Sequence, residues 1–94
     1  MRANRQDSNQ ADIVKALRAC GASVQPLNAV KAGCPDILVG WQGRNYLLEI
    51  KDGSKPKSAR QLTPDEEQWH RGWKGTVATV LNVEEAMRVC RITL

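Results

Sequence analysis

The chain has 94 residues, of which 14 are Lys or Arg and 10 are Asp or Glu, so its formal net charge is +4. A hydrophobic fraction of 41% excludes a disordered tail, and no apolar run approaches the roughly 20 residues that cross a bilayer. The start, MRANRQDSNQ, lacks the apolar stretch of a secretion signal. We therefore expect one small cytoplasmic domain with no membrane partner, rather than a multidomain enzyme.

The cysteine and histidine content argues against a structural zinc site. The cysteines Cys20, Cys34 and Cys90 are widely spaced, and His70 is the single histidine. A structural zinc site needs four nitrogen or sulfur ligands, usually in close pairs. We expect reduced thiols that serve as small apolar side chains.

The amino-terminal part predicts a helix followed by an edge strand. Asp7-Ser8-Asn9 offers three residues that cap helices. Apolar residues then recur at helical spacing over about 9–20, and Gly21 is typical of a helix end. The stretch 22–27 predicts a short strand, and Pro26 near its end favours an edge position.

The most regular pattern predicts a β-hairpin. Two apolar runs, 37–39 and 46–50, flank Gln42-Gly43, a plausible two-residue turn. With that turn, the numbers of paired residues sum to 85, and Asp36 faces Glu49. A three-residue turn would shift the pairing but leave these two acids near neighbours.

The remaining elements complete the order α-β-β-β-α-β-α. Residues 53–62 predict a loop, and Thr63-Pro64-Asp65-Glu66 is a capping box that begins a helix running to about residue 74. Residues 77–81 predict a strand, Asn82 with Glu85 predicts a second capped helix, and 92–94 predict a short final strand. This alternation predicts an α/β layered domain around a mixed sheet.

Three charged residues carry the chemical signal. Glu49 and Lys51 lie two apart on a strand and share one face, and the hairpin adds Asp36 to that face. Two adjacent carboxylates repel each other unless a cation lies between them. Mg²⁺ binds such carboxylates, and Lys51 could orient a water or stabilise phosphate charge. The alternative is a set of solvated strand-end charges in which Lys51 offsets Glu49.

A family resemblance adds to this pattern. Gly33-Cys34-Pro35-Asp36, twelve residues, and Glu49-Ile50-Lys51 resemble the signature of PD-(D/E)xK nucleases. With Leu62-Thr63-Pro64 and Trp69-His70, the chain resembles the short VRR-NUC proteins of phages and prophages over about residues 7–90. The resemblance implies a single domain over 1–94 with a restriction-endonuclease-like three-layer core and a central mixed β-sheet.

The resemblance also implies an activity. Asp36, Glu49 and the backbone carbonyl of Ile50 would bind Mg²⁺ or Mn²⁺, and Lys51 would act on the water or the phosphate. The chain would then be a metal-dependent deoxyribonuclease without a nucleotide cofactor. Short members are expected to be homodimers that cut branched DNA, such as Holliday junctions or flaps, in the cytoplasm of a bacterium or phage-infected cell.

Two positions depart from the family pattern. The family often has a metal-binding glutamate in the first helix, where this sequence offers Gln10 or Asp7, and Asp7 has an equal explanation as a helix cap. A glutamine is often found early in the second helix, where Glu66 stands here. The capping box already explains Glu66.

Basic residues follow the predicted catalytic strand. Residues 51–60 carry four basic groups and one acid, and their members Lys55, Lys57 and Arg60 are candidates for binding DNA phosphates. Arg44 and Lys31 are further candidates. The alternative is a solvated loop that keeps the protein soluble.

The sequence alone leaves more than one role for the tryptophans and more than one function for the protein. Trp69 and Trp73, four apart, favour a core or a dimer interface over base stacking. The main alternative to a nuclease is a non-catalytic nucleic-acid-binding module that retains the nuclease fold. A dimeric structural protein with incidental acids is the third possibility.

Overall fold

The elements follow the predicted order. The computed structural model describes residues 8–93, in which the elements are α1 (Ser8–Ala19), β1 (Ser23–Pro26), β2 (Ile37–Trp41), β3 (Arg44–Ile50), a 3-10 turn (Lys57–Ala59), α2 (Pro64–Gly72), β4 (Val77–Val80) and α3 (Val83–Val89). The strands form one sheet in the order β1-β2-β3-β4. Its first two pairings are antiparallel and the β3–β4 pairing is parallel, which confirms the mixed α/β fold. No helix in this range has the length and apolar character needed to cross a membrane.

The hairpin has the predicted register. Gln42 and Gly43 have φ angles of 49° and 77°, and two positive φ angles in a two-residue loop match the right-handed twist of the flanking strands. Trp41 therefore pairs with Arg44, as the sum of 85 requires. The edge position of β1 is also confirmed, because β1 is the first strand of the sheet.

One face of the sheet holds the hydrophobic core. The helices α1 and α3 contact each other, β1 and β4, and they cover the side chains that alternate inward along the strands. The largest fully buried apolar side chains are Ile13, Leu17, Ile37, Leu48, Ile50, Val39, Val80, Pro35 and Cys90. Glu49 and Lys51 point to the opposite face, where α2 contacts Lys51 through Glu66.

The helix caps are confirmed, but α2 is shorter than predicted. The Thr63 hydroxyl accepts a hydrogen bond from the Glu66 amide, and the Glu66 carboxylate accepts one from the Thr63 amide. At α3 the Asn82 side chain accepts from the Glu85 amide, while the Glu85 carboxylate accepts from the Leu81 amide. However, α2 ends at Gly72 because Trp73 adopts an extended conformation with ψ of 131°.

The predicted core role of the two tryptophans is wrong. No residue of α2 is buried, and Trp73 is 47% exposed. Trp69 and Trp73 instead stack on each other with ring centroids 4.6 Å apart. The reason is that α2 lies at the surface over the charged face of the sheet, away from the apolar core.

The predicted final strand is also absent among the described residues. Arg91 has a φ of 61°, and the Ile92 amide donates a hydrogen bond to the Met87 carbonyl at 2.9 Å. This turn reverses the chain, so Ile92 packs into the core instead of joining the sheet. Leu94, the last residue of that predicted strand, lies outside the described residues. Asp7, the possible helix cap or metal ligand, lies outside them as well.

Candidate active site

Asp36 and Glu49 lie side by side at the end of β3. The Asp36 amide donates a hydrogen bond to the Leu48 carbonyl, which extends the hairpin pairing by one residue beyond β2. The Asp36 carboxylate accepts a 2.7 Å hydrogen bond from the Ile50 amide through Oδ2. Glu49 is 2% exposed, and among the described residues its Oε1 has no hydrogen-bond partner.

The two carboxyl groups disfavour being charged together. Burial raises the pKa of Glu49 to about 9, and the charges of Asp36 and Glu66 act in the same direction. Burial also raises the pKa of Asp36, although the hydrogen bond from Ile50 opposes the shift. A positive charge between these carboxylates would relieve both the desolvation and the repulsion.

Lys51 supplies one positive charge to this face. Its Nζ lies 2.9 Å from Oε1 of Glu66 and 3.7 Å from Oε2 of Glu49. Burial lowers the pKa of Lys51, but the hydrogen bond and charge of Glu66 outweigh it and hold the pKa above its usual value. Lys51 is therefore a protonated donor at neutral pH, suited to stabilising negative charge.

Glu66 has a second contact that the sequence did not predict. Its Oε1 accepts from the Thr63 amide at 2.9 Å within the capping box and from Lys51 at the same distance. Burial raises the pKa of Glu66, yet the hydrogen bonds from Lys51 and from the Thr63 amide, together with the charge of Lys51, outweigh burial and leave the pKa below its usual value. The capping-box pattern carries no signal for Lys51, because that contact depends on where α2 docks.

Gln10 reaches Asp36 through Asn28. The Gln10 side chain is buried, and its Nε2 donates to Oδ1 of Asn28 at 2.8 Å. The side-chain Nδ2 of Asn28 donates to Oε1 of Gln10 at 3.3 Å and to Oδ1 of Asp36 at 3.2 Å. Gln10 therefore lies behind Asp36, with Asn28 between them, and Asn28 was missed because no spacing pattern marks it.

The backbone at Lys51 is fixed from α1. Asn9 donates hydrogen bonds to the carbonyls of Lys51 at 3.0 Å and Leu81 at 3.1 Å. The Lys51 amide donates to the Val80 carbonyl. These bonds hold the strand end that carries Glu49 and Lys51 against the ends of α1 and β4.

Two further groups border the carboxylates. Burial raises the pKa of the Cys34 thiol, with smaller contributions from the charges of Glu49 and Asp36. Burial lowers the pKa of His70, which lies one helical turn after Glu66. The His70 Nε2 atom is buried and has no hydrogen-bond partner within residues 8–93. Cys34 lies two residues before Asp36 in the sequence motif, whereas the position of His70 depends on where α2 docks.

The donor set fits a divalent ion that keeps most of its water ligands. Asp36 and Glu49 offer carboxylates, and Ile50 between Glu49 and Lys51 offers a backbone carbonyl. Oε1 of Glu49 is buried and receives no hydrogen bond from an N–H or hydroxyl group of residues 8–93, while the Glu49 carboxyl group is hydrogen-bonded to the Asp36 carboxyl group. No cluster of three or more His, Cys, Asp or Glu side chains suited to a metal occurs within residues 8–93. Mg²⁺ commonly uses only one or two carboxylates, with water and phosphate oxygens completing its coordination.

The predicted DNA-binding residues divide into two regions. Lys55 and Lys57 are exposed in the loop that follows Lys51 directly, and Arg60 donates to the Lys55 carbonyl at 2.8 Å within it. Lys31 is exposed in the connection between β1 and β2. Arg44, in contrast, begins β3, about 17 Å along the strand from Glu49, and by strand alternation it faces the helix side of the sheet.

The loop before Asp36 approaches α2 closely. Gly33 has a φ of 84°, and a Cβ atom at this position would overlap the backbone carbonyl of Asp65 in the first turn of α2. Only glycine combines this φ angle with the close approach. The contact brings the loop that leads into Asp36 against the helix that carries Glu66.

A solved structure described as "VRR_NUC domain" has a similar fold. The two superpose with a TM-score of 0.63 over 90% of this chain and 92% of that chain, at 21% sequence identity. The chain has the VRR-NUC fold. The predicted resemblance is thus confirmed at the level of the fold, which the two chains share over nearly their whole lengths. No family model and no curated protein sequence matches this chain.

Proposed function

We propose that the chain is an endonuclease that hydrolyses DNA phosphodiester bonds with Mg²⁺ or Mn²⁺. The observation that carries this proposal is the buried Glu49 carboxyl group, whose Oε1 has no hydrogen-bond partner within residues 8–93. It lies beside Asp36 and 3.7 Å from Lys51 Nζ. Burying such a group costs free energy unless a cation satisfies it. The VRR-NUC fold supports the same proposal.

In this mechanism the residues at the end of β3 have separate roles. Asp36, Glu49 and the Ile50 carbonyl would hold the ion, and Asn28 with Gln10 orients Asp36. The ion, when bound, lowers the pKa of a coordinated water and offsets phosphate charge. Lys51 keeps its proton and donates a hydrogen bond to a phosphate oxygen or to the attacking water. Glu66 positions Lys51 for that contact.

The loop over 53–62 supplies the DNA contacts nearest to this site. Lys55 and Lys57 are exposed and follow Lys51 within six residues, so they can reach backbone phosphates on either side of the cut bond. Phosphate contacts of this kind position DNA without reading its sequence. The proposal therefore includes binding that weakens steeply with salt.

We extend the proposal to a homodimer that cuts branched DNA such as Holliday junctions or flaps. A core this small gains stability by burying surface against a second copy, and the exposed large hydrophobic side chains of the described residues are Val30 and Trp73. A two-fold dimer would present two sites to two strands. Light scattering at micromolar concentration tests this step, and a monomer would contradict it.

The cytoplasm remains our proposed location. Cys20, Cys34 and Cys90 are free thiols, which fits a reducing compartment.

A cleavage panel tests the catalytic step. Four-way junction, flap, fork and linear duplex DNA are incubated with the protein in Mg²⁺ or Mn²⁺. Lys51→Ala should lower the cleavage rate about 10²–10³-fold without changing the circular dichroism spectrum. Lys15→Ala, which removes one exposed lysine of α1, is the matched control. Equal cleavage by both variants would contradict the assignment.

A non-catalytic nucleic-acid-binding module is the second candidate. It is favoured by the absence, within residues 8–93, of three or more His, Cys, Asp or Glu side chains placed to hold a metal, since Gln10 is hydrogen-bonded to Asn28 and Glu66 to Lys51. This candidate predicts salt-sensitive DNA binding without cleavage in Mn²⁺. The cleavage panel in Mn²⁺ separates the two functions, because cutting of any of its substrates by the wild-type chain would contradict the non-catalytic one.

A further inference from the structure

A small basic cavity lies at the end of the sheet remote from Glu49. Its volume is about 290 Å³, and its lining residues are Arg44, Tyr46, Thr76, Val89 and Arg91. Arg44 begins β3, Thr76 precedes β4, and Val89 ends α3. The cavity therefore opens beside the hairpin turn on the face covered by helices, whereas Glu49 and Lys51 lie on the opposite face.

The positive charge in this cavity has no counterpart in the described part of the chain. Within residues 8–93, neither the Arg44 nor the Arg91 side chain forms an ion pair or a hydrogen bond, and no acidic residue lines the cavity. The acids of α3, Glu84 and Glu85, are in its first turn. They lie at the other end of the helix, roughly 10 Å away. Both arginine residues are exposed, and an anion bound beside them would offset the repulsion between their charges.

Helix-end electrostatics explains only one of the two arginines. Arg91 follows the carboxyl end of α3, where a cation is favoured. It does so with a φ of 61°, a conformation that usually selects glycine at this position. Arg44 comes from β3 and gains nothing from that helix end. A ligand shared by both side chains accounts for their convergence.

We propose that Arg44 and Arg91 bind a phosphate group of a nucleic-acid backbone segment separate from the one at the catalytic face. Guanidinium groups present paired donors that match phosphate oxygens, and the Thr76 hydroxyl can add a third donor. The inference rests on the proposed nuclease function and deepens it. The cavity lies about 17 Å along β3 from Glu49 and on the other face. A straight duplex on the catalytic face does not pass over it, whereas a second arm of a junction can.

The salt dependence of DNA binding tests this site without relying on cleavage. In a Lys51→Ala background, Arg44→Gln, Arg91→Gln and the double variant are compared with Arg88→Gln, which removes a charge from the same helix outside the cavity. For a four-way junction, the slope of log affinity against log salt should fall by about 0.9 for each phosphate that the variant no longer neutralises. The fall should be smaller for linear duplex. Equal decreases on both substrates, or decreases equal to those of Arg88→Gln, would overturn the proposal.

Inorganic phosphate separates a nucleic-acid contact from a free-anion site. Phosphate titration of the full chain should shift the amide signals of Thr76 and Arg91 saturably, and the double variant should abolish these shifts. Saturable shifts with an unchanged junction slope would assign the cavity to a free anion and overturn the nucleic-acid contact. Failure of the nuclease proposal is distinguishable, because it would appear as a lack of cleavage by the wild-type chain with the slope effect intact.

Discussion

The two faces of the sheet differ in what they contribute. On the face covered by α1 and α3, Leu48 and Ile50 of β3 are almost completely buried among apolar side chains. On the opposite face, the intervening Glu49 and the following Lys51 form a charged site beneath α2, which has no buried residue. One strand therefore supports the fold with alternate residues and the proposed chemistry with those between them, so mutations on the two faces should separate stability from activity.

The largest expected effect is on the apolar face. Leu48→Ala should lower the free energy of unfolding by about 2–5 kcal/mol, because it leaves a cavity in the buried core that the surrounding side chains cannot fill. Urea unfolding followed by circular dichroism measures the change. Thr79→Ala, an exposed position on the neighbouring strand β4, should change stability by no more than about 0.5 kcal/mol. Equal losses of stability in both variants would contradict the expectation that the apolar face supports the fold more than the opposite face does.

A substitution on the charged face should raise the free energy of unfolding instead of lowering it. Glu49→Gln should raise the unfolding free energy of the metal-free chain by about 1–2 kcal/mol near pH 9, since it removes a buried group with unmet hydrogen bonds. It should also abolish cleavage. Because the pKa of Glu49 in the fold is about 9, against a usual 4.5, its contribution to stability is present below pH 4.5 and is lost as the pH rises toward 9.

The gain from Glu49→Gln should therefore be small at pH 5. Glu66→Gln is the control, because the pKa of Glu66 lies below its usual value. That substitution should destabilise the chain at neutral pH. Urea unfolding in EDTA at pH 5, 7 and 9 measures both variants. A Glu49→Gln variant less stable than the wild type at pH 9 would show that the carboxylate is satisfied without a metal.

The smallest effect comes from a matched pair of helix caps. Thr63→Ala and Asn82→Ala each remove one capping side chain, from α2 and α3 respectively, and each should cost about 1 kcal/mol. Thr63→Ala should also lower cleavage several-fold because it loosens the helix that holds Glu66 against Lys51. Thermal unfolding and initial cleavage rates give the two readouts. An equal decrease of cleavage in Asn82→Ala would show that the faces are not separable.

Local chemistry made much of the fold predictable. The turn residues Gln42-Gly43 adopt the two positive φ angles that set the hairpin register, so the approach of Asp36 to Glu49 followed from counting. The capping residues Thr63 and Asn82 placed the starts of α2 and α3 for the same reason, since each capping side chain accepts from an amide three residues further on. These features depend on residues that are close in sequence, so a sequence pattern can predict them.

Features that depend on distant packing were not predictable in the same way. The pairing of Lys51 with Glu66 and the Gln10–Asn28–Asp36 chain of hydrogen bonds both require elements that meet only in the folded chain. Arg44 is a different case. The alternation of β3 already puts it on the face opposite Glu49, although its charge alone resembles that of the lysines in the loop after Lys51. The active-site roles of these residues remain predictions.

The contact between Gly33 and the start of α2 bears on the motions available to this site. Because α2 buries no side chain in the core, its docking depends on that glycine, the Lys51–Glu66 pair and a few surface contacts. Such a segment opens with a smaller free energy than the core. Local opening of α2 would release Lys51 from Glu66 while leaving α1, α3 and the sheet folded, so amide protons of α2 should exchange with solvent faster than those of β3. Access to this face and the position of the Lys51 side chain would then be coupled through one surface helix.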